Sequence, residues 1–253
     1  MGRLKIDMLG TSFTIQANED NQYLEKLLGY YKRITDDVKN IDSIKSPLQV
    51  AILSGIMISI GGAVYLSCVS QNLSWLGAFL FSAGLYTICQ YGFNLYTGKV
   101  GYIALHFKDY KYIGLVILIL TFNLLTTYIL GILLRNVFPQ IIEPAKTIFS
   151  AKLEKSFIKL FISGIYCGLL MFLAVDTWKN GSKIGCFIFI PVFILSGFDH
   201  SVANSFYNGV ANGFSDAFTV KNCLIFISVI LGNALGGMIV PLLTRTWKKS
   251  KTE

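Results

Sequence analysis

An acid, an imidazole and an amide stand within six residues of one another in Ser196-Gly197-Phe198-Asp199-His200-Ser201-Val202-Ala203-Asn204. A carboxylate at Asp199, a ring that titrates near neutral pH at His200 and the Asn204 amide are groups that hold or pass a proton. A second segment, Leu95-Tyr96-Thr97-Gly98-Lys99, sets a hydroxyl and a flexible glycine beside bulky side chains. Neither is a catalytic constellation. The chain has two histidines, His106 and His200, no Ser or Cys with a plausible Asp/His set, no phosphate-cradling glycine motif and no metal-ligand spacing, so no cofactor is expected. Plainer roles exist for each residue: a hydrogen-bonded structural histidine for His200, a helix cap for Asp199, an ordinary span end for Leu95 to Lys99.

The elements that must position these groups are membrane spans. The 253 residues are 53% hydrophobic and 14% charged, against roughly a quarter charged in soluble domains. Between Lys45 and Lys99 there is no Asp, Glu, Lys or Arg, enough for two crossings, Leu48 to Val69 and Trp75 to Tyr96. Tyr112 to Leu134, Phe157 to Val175 and Asn222 to Thr244 supply three more. The remaining span is short, Ile184 to Phe198, and is interrupted by Asp199 and His200 before a weakly polar stretch runs on to about Phe214. Ionisable groups inside a membrane segment are costly and usually functional.

Charge sets the orientation. The net charge of +8 is scattered between apolar runs and forms no stripe with aromatics, which excludes a nucleic-acid face. Lys39, Lys45, Lys108, Lys111, Lys179, Lys183, Arg245, Lys248, Lys249 and Lys251 all fall on the side of the termini, which predicts cytoplasmic termini in a cell membrane. Arg135, Lys146, Lys152 and Lys155 break that rule on the outer side. The first 47 residues carry seven basic and seven acidic side chains and no apolar run; no secretory leader is expected there, and they read as a soluble helical arm with an amphipathic part at Tyr23 to Ile34. Residues 48–245 are expected to form one membrane domain of six spans and 246–253 a cytoplasmic basic tail. Cys68, Cys89, Cys167, Cys186 and Cys223 lie in apolar stretches and read as small buried hydrophobes.

The two halves match. Leu53-Ser54-Gly55-Ile56 pairs with Ile162-Ser163-Gly164-Ile165, Gly92-Phe93-Asn94 with Gly197-Phe198-Asp199, and Ile129-Leu130-Gly131 with Ile230-Leu231-Gly232, at offsets of 109, 105 and 101. Three matches in order predict a duplicated three-span unit, its copies antiparallel because the span number is odd. The expected fold is an all-α membrane protein with six helices in an inverted 3+3 repeat, aquaporin-like, the second and fifth helices broken where they line the pathway.

With these motifs the chain resembles the formate/nitrite transporter family, whose members also conduct hydrosulfide, over roughly Lys39 to Thr244. The stretch from Ser196 to Asn204 is similar to the family's SGFEHSxAN, Leu95-Tyr96-Thr97 to its LFT element, and Gly232-Asn233-Ala234-Leu235-Gly236-Gly237 to its GNxxGG. The resemblance implies a homopentamer with one pore per protomer. It implies that Thr97 faces the central His200, with Asp199 and Asn204 beside it, that Leu85, Leu95 and Tyr96 form a cytoplasmic constriction, and that Phe81 and Phe193 form an outer one. The vestibule lysine, twelve residues before Gly164, corresponds to Lys152, and Lys155 is expected to matter much less. Asp199 stands where Glu is usual, Gly168 where an Asn commonly lines the pore, and Tyr96 where Phe is usual.

The expected activity is passage of a small monovalent anion of a weak acid, formate foremost, nitrite or hydrosulfide as well. A naked charge does not cross an apolar constriction, whereas its conjugate acid is neutral. Lys152 would attract the anion and raise its proton affinity, Thr97 and the half-helix ends would orient it, and His200 would donate or relay a proton. A neutral-solute pore is the first alternative, but its paired Asn-Pro-Ala motifs do not occur. A membrane-embedded enzyme using His200 and Asp199 is the second.

Overall fold

The computed structural model describes residues 2–8, 11–17, 46–214 and 219–250, with side chains described over 46–214 and 219–244. Residues Met1–Ser46 and Pro47–Glu253 are two separate compact units. In the first, β1 (Gly2–Met8) and β2 (Thr11–Ala17) pair antiparallel, with Leu4 opposite Ile15 and Ile6 opposite Phe13. The expected helical arm is therefore corrected over these residues. Arg3-Leu4-Lys5-Ile6-Asp7-Met8 alternates polar and apolar with the period of two that suits a strand. The amphipathic segment Tyr23 to Ile34 lies outside the described residues.

The second unit is helical. Proline opens α1 (Pro47–Val69), where its missing N–H is not needed. α2 (Ser74–Tyr91) ends on Gly92 and is followed by α3 (Tyr96–Lys99), which runs into a 3-10 turn over Val100–Leu105. α4 (Tyr110–Val137) is capped by Asp109, whose carboxylate accepts from the backbone N–H of Lys111 and Tyr112 at 3.1 Å. A 3-10 turn at Pro139–Ile141 leads into α5 (Ile142–Leu153), and Ser156 caps α6 (Phe157–Lys179). α7 (Ile184–Leu195), α8 (Ser201–Asn212) and α9 (Val220–Ser250) complete the order.

Among the described residues, four helices are long and apolar enough to cross a membrane: α1, α4, α6 and α9 up to Thr244. The stretch Ser74–Tyr91 plus Tyr96–Leu105, bent by 54°, makes a fifth if taken as one span. Their outward faces are apolar: Ile117, Leu125 and Leu133 on α4 are exposed, as a lipid-facing stripe requires. The charge-free run predicts a second span reaching Tyr96, but the helix ends at Tyr91 because Gly92 takes a left-handed conformation, φ +68°. The connection before Phe157, which carries Lys146, Lys152 and Lys155, contains the twelve-residue helix α5.

α8 is buried without interruption from Ser201 to Ala211, and α4, α5 and α1 pack around it. A short helix carrying Asn204, Ser205 and Asn208 is tolerated at that depth because protein, not lipid, surrounds it.

Candidate functional site

Two chain breaks build the site, and they are made alike. Gly92 and Gly197, 105 residues apart, both have positive φ, +68° and +69°. The N–H of the following phenylalanine turns back to close the preceding helix, Phe93 to Ile88 O at 2.8 Å and Phe198 to Phe193 O at 3.0 Å. Each break leaves backbone groups unpaired, and an asparagine from another helix collects them. Asn123 Oδ1 accepts from Tyr96 N at 2.8 Å, while its Nδ2 donates to Ala51 O at 2.8 Å and Asn94 O at 3.1 Å. Asn233 Oδ1 accepts from Ser201 N at 2.9 Å, while its Nδ2 donates to Gly164 O and Asp199 O at 2.9 Å each.

The two breaks meet at Thr97 and His200, whose Oγ1 and Nε2 lie 2.9 Å apart, both buried. His200 is also the cap of α8: its Nδ1 accepts from the Ala203 backbone N–H at 3.1 Å. A backbone N–H can only donate, so Nδ1 carries no proton in the neutral ring, and Nε2–H donates to Thr97. The Thr97 hydroxyl keeps its own hydrogen for another partner. The imidazole packs against Phe193, centroids 5.8 Å apart, and Phe193 meets Phe81 edge-on at 6.4 Å.

Asp199 does not cap α8 as one sequence reading had it; its carboxylate points the other way. Oδ1 receives Lys152 Nζ and, at 3.4 Å, Asn204 Nδ2. Oδ2 receives Lys155 Nζ at 3.1 Å and Ser163 Oγ at 2.7 Å, and Ser163 Oγ in turn accepts from Asp199 N at 2.9 Å. Two ammonium groups thus share one carboxylate. Burial pushes the Lys152 ammonium below the ordinary lysine value, and the Asp199 charge acts against that shift.

A cavity of about 220 Å³ is bordered by Lys152, Lys155, Phe193, His200 and Asn204. At ~10–15 Å³ per ordered water it has room for many. A second cavity, about 110 Å³, is bordered by Leu95, Gly98, Lys99, Val175, Trp178 and Lys179. The Thr97–His200 bond therefore ties the segment bordering the smaller cavity to a residue bordering the larger one. Lys179 Nζ rests over the Tyr102 ring, 3.7 Å from its centroid.

Of the residues singled out from sequence, Thr97 with His200, Lys152 with Asp199 and Asn204, and Phe81 with Phe193 are brought together. Leu95 and Phe193 border different cavities. Leu85 and Phe81 are buried but border neither, and Tyr96 is turned aside, its hydroxyl donating to Ile230 O at 3.1 Å. Gly168 sits where α6 and α9 touch backbone to backbone; a Cβ there would overlap Asn233, so no pore-lining amide fits. Sequence reasoning missed the roles of Lys155, Ser163, Asn123 and Asn233. For Asn123 a signal existed, a buried amide in the charge-free run Tyr112 to Leu134.

Apolar crossing helices, two capped breaks meeting at a hydroxyl and an imidazole, and a cavity on either side are features of a multi-pass membrane protein. The family model "Formate/nitrite transporter" matches residues 35–247, and the chain belongs to that family. It is 31% identical over 185 residues to the uncharacterised transporter YrhG of Bacillus subtilis (strain 168), covering 66% of this chain and 68% of that one. It is 41% identical over 58 residues to an uncharacterised protein of Treponema pallidum (strain Nichols), 23% of this chain; the match spans about half of that relative, 54%. The fold is similar to that of a pentameric formate channel with formate bound, at a TM-score of 0.62 and 23% identity over 81% of this chain and 96% of that one.

Proposed function

We propose that the chain forms a pore for a small monovalent anion of a weak acid, formate first, with nitrite and hydrosulfide as further candidates. The protomer has six spans in an inverted 3+3 repeat, α2–α3 and α7–α8 each making one broken crossing, and both termini are cytoplasmic in the cell membrane. It assembles as a homopentamer; the formate channel of similar fold is pentameric. The repeat is supported by the matched breaks, each with a left-handed glycine and an asparagine making three equivalent bonds.

The observation that carries the reading is the Thr97–His200 hydrogen bond between two lysine-bearing cavities. An anion drawn into the larger cavity meets a cationic cluster that also contains Lys152. At the hydroxyl of Thr97 it accepts the free hydrogen, which His200 polarises from behind through Nε2–H. Protonating Nδ1 would break the cap on Ala203, so His200 stays in its neutral tautomer and keeps its Nε2 proton: it strengthens the Thr97 hydroxyl as a donor, and the proton that neutralises the anion comes from water entering the lysine-bordered cavity. The substrate then passes Phe193 and Leu95 largely neutral, without the desolvation cost of an ion.

Stopped-flow uptake by proteoliposomes tests this, comparing formate, nitrite, hydrosulfide, acetate and lactate with glycerol and urea. Faster flux of one or more of the anions, increasing as pH falls toward their conjugate acids, is expected. Glycerol or urea flux without anion flux would instead establish a neutral-solute pore.

A further inference from the structure

We propose that Lys155, rather than Lys152, is the residue that takes the permeating anion in the larger cavity, exchanging its bond to Asp199 for a bond to the anion. This rests on the anion-pore reading above and names the group that selects the substrate. The cluster has two ammonium groups and one carboxylate, a surplus of one positive charge, and the two lysines are the only charged residues bordering the cavity among the described residues. A monovalent anion brings that balance to zero.

The two lysines are not equally free to provide the charge. The Lys152 side chain is 9% exposed and is bound to Asp199 Oδ1, which Asn204 also contacts. Its positive charge is matched by a carboxylate that is itself wholly buried, so releasing it would strand an ammonium away from water. The Lys155 side chain is 34% exposed, lies two residues beyond the last residue of α5, and shares Oδ2 with Ser163. When Lys155 leaves, Asp199 keeps Lys152, Asn204 and Ser163, three of its four side-chain donors. The exchange replaces one charge-assisted bond by another of the same kind, so a small carboxylate or oxyanion competes with Asp199 on nearly even terms. Ser163 is what makes it reversible, because it holds Oδ2 in place for the lysine to return to.

The test is the concentration dependence of formate uptake by proteoliposomes holding the full-length chain, at one pH, for wild type, Lys155→Gln and Lys155→Arg. Lys155→Gln should raise the half-saturating concentration by about tenfold or more, the loss of one charged hydrogen bond, with the maximal rate little changed. Lys155→Arg should restore it to near the wild-type value, because the charge is kept. An unchanged half-saturating concentration in a folded Lys155→Gln oligomer overturns the proposal and leaves Lys155 as a structural partner of Asp199. Equal loss in Lys155→Arg and Lys155→Gln overturns it too, since charge would then not be what matters. If wild type itself takes up no anion, the pore reading fails along with it, which the first curve alone reveals.

Discussion

Asn123 and Asn233 make the same three hydrogen bonds in the two halves of the molecule, each accepting from the first N–H after a break and donating to the carbonyl before it and to one on a neighbouring helix. Both are fully buried. A chain that leaves the helix inside a membrane has no water to satisfy it, so these amides are what permits the breaks to exist. Replacing either by Ala strands three backbone groups at about 1–3 kcal/mol each. Asn123→Ala and Asn233→Ala should each lower the melting temperature of the detergent-solubilised oligomer by many degrees. A loss confined to one of them would undo the equivalence of the two breaks.

The Thr97–His200 pair makes a prediction about function without stability. His200→Phe removes both ring nitrogens, and with them the Ala203 cap, worth about 1 kcal/mol, while ring volume and the contact with Phe193 remain. The oligomer should stay folded, and uptake of a weak-acid anion measured between about pH 5 and 8 should lose its pH-dependent component, because the anion is no longer held at a polarised hydroxyl while it takes up a proton. Thr97→Val should lose it to the same degree, and the double variant no further, because the two side chains act as one unit. Retained pH dependence in either single variant makes His200 a structural histidine.

Lys152 has a structural duty that its sequence position did not suggest. Lys152→Ala leaves the buried Asp199 with Lys155, Ser163 and Asn204, and removal of one partner from a buried pair costs on the order of 3–5 kcal/mol, less where other donors remain. Loss of thermal stability should therefore accompany loss of flux, and Asp199→Asn in the same chain should restore part of the stability by removing the stranded charge. No stability loss in Lys152→Ala would show that the cluster contributes nothing to folding.

Much of this was legible in the residues because the chemistry of a membrane is restrictive. Charge-free runs locate most of the helices, and Thr97, Asp199 and His200 stand out as polar groups at the interruptions of such runs, whereas Lys152 was singled out only through the resemblance to the family. Where the helix stops was less visible: Tyr96 looked like the end of a span, but the break is decided by the left-handed Gly92 and by Asn123, which is 27 residues away in sequence from Tyr96. The share of Lys155 in Asp199 was hidden for a similar reason, since the two residues are 44 apart in sequence and meet only where the chain leaves α5. The strand pairing of Gly2–Met8 with Thr11–Ala17 was overlooked although its alternation is plain.

Topology gives a prediction independent of the site. A reporter fused after Glu253 and a cysteine label at Ser74 should report opposite sides of the membrane, because the six crossings proposed would return the chain to its starting side and α1 ends near Ser74 after the first. Labelling of both positions from outside would reverse the proposed orientation.

Gly168 separates two accounts of why the family's usual asparagine is missing. If the position lined the pathway here, Gly168→Asn would add an amide to the pore and change which anions pass, with the oligomer intact. The crossing of α6 and α9 argues otherwise, because Gly164 and Gly168 on one helix lie against Gly232 and Asn233 on the other. A side chain at 168 would push into the backbone of Asn233, the residue that holds the second break through Ser201 N and Asp199 O. Overpacking alone costs typically about 1–3 kcal/mol, and here it is coupled to loss of the asparagine's bonds. Gly168→Asn and Gly168→Ala should both reduce the yield of assembled oligomer on size-exclusion chromatography, the larger residue more. A well-assembled Gly168→Asn with altered anion preference would place residue 168 on the pathway.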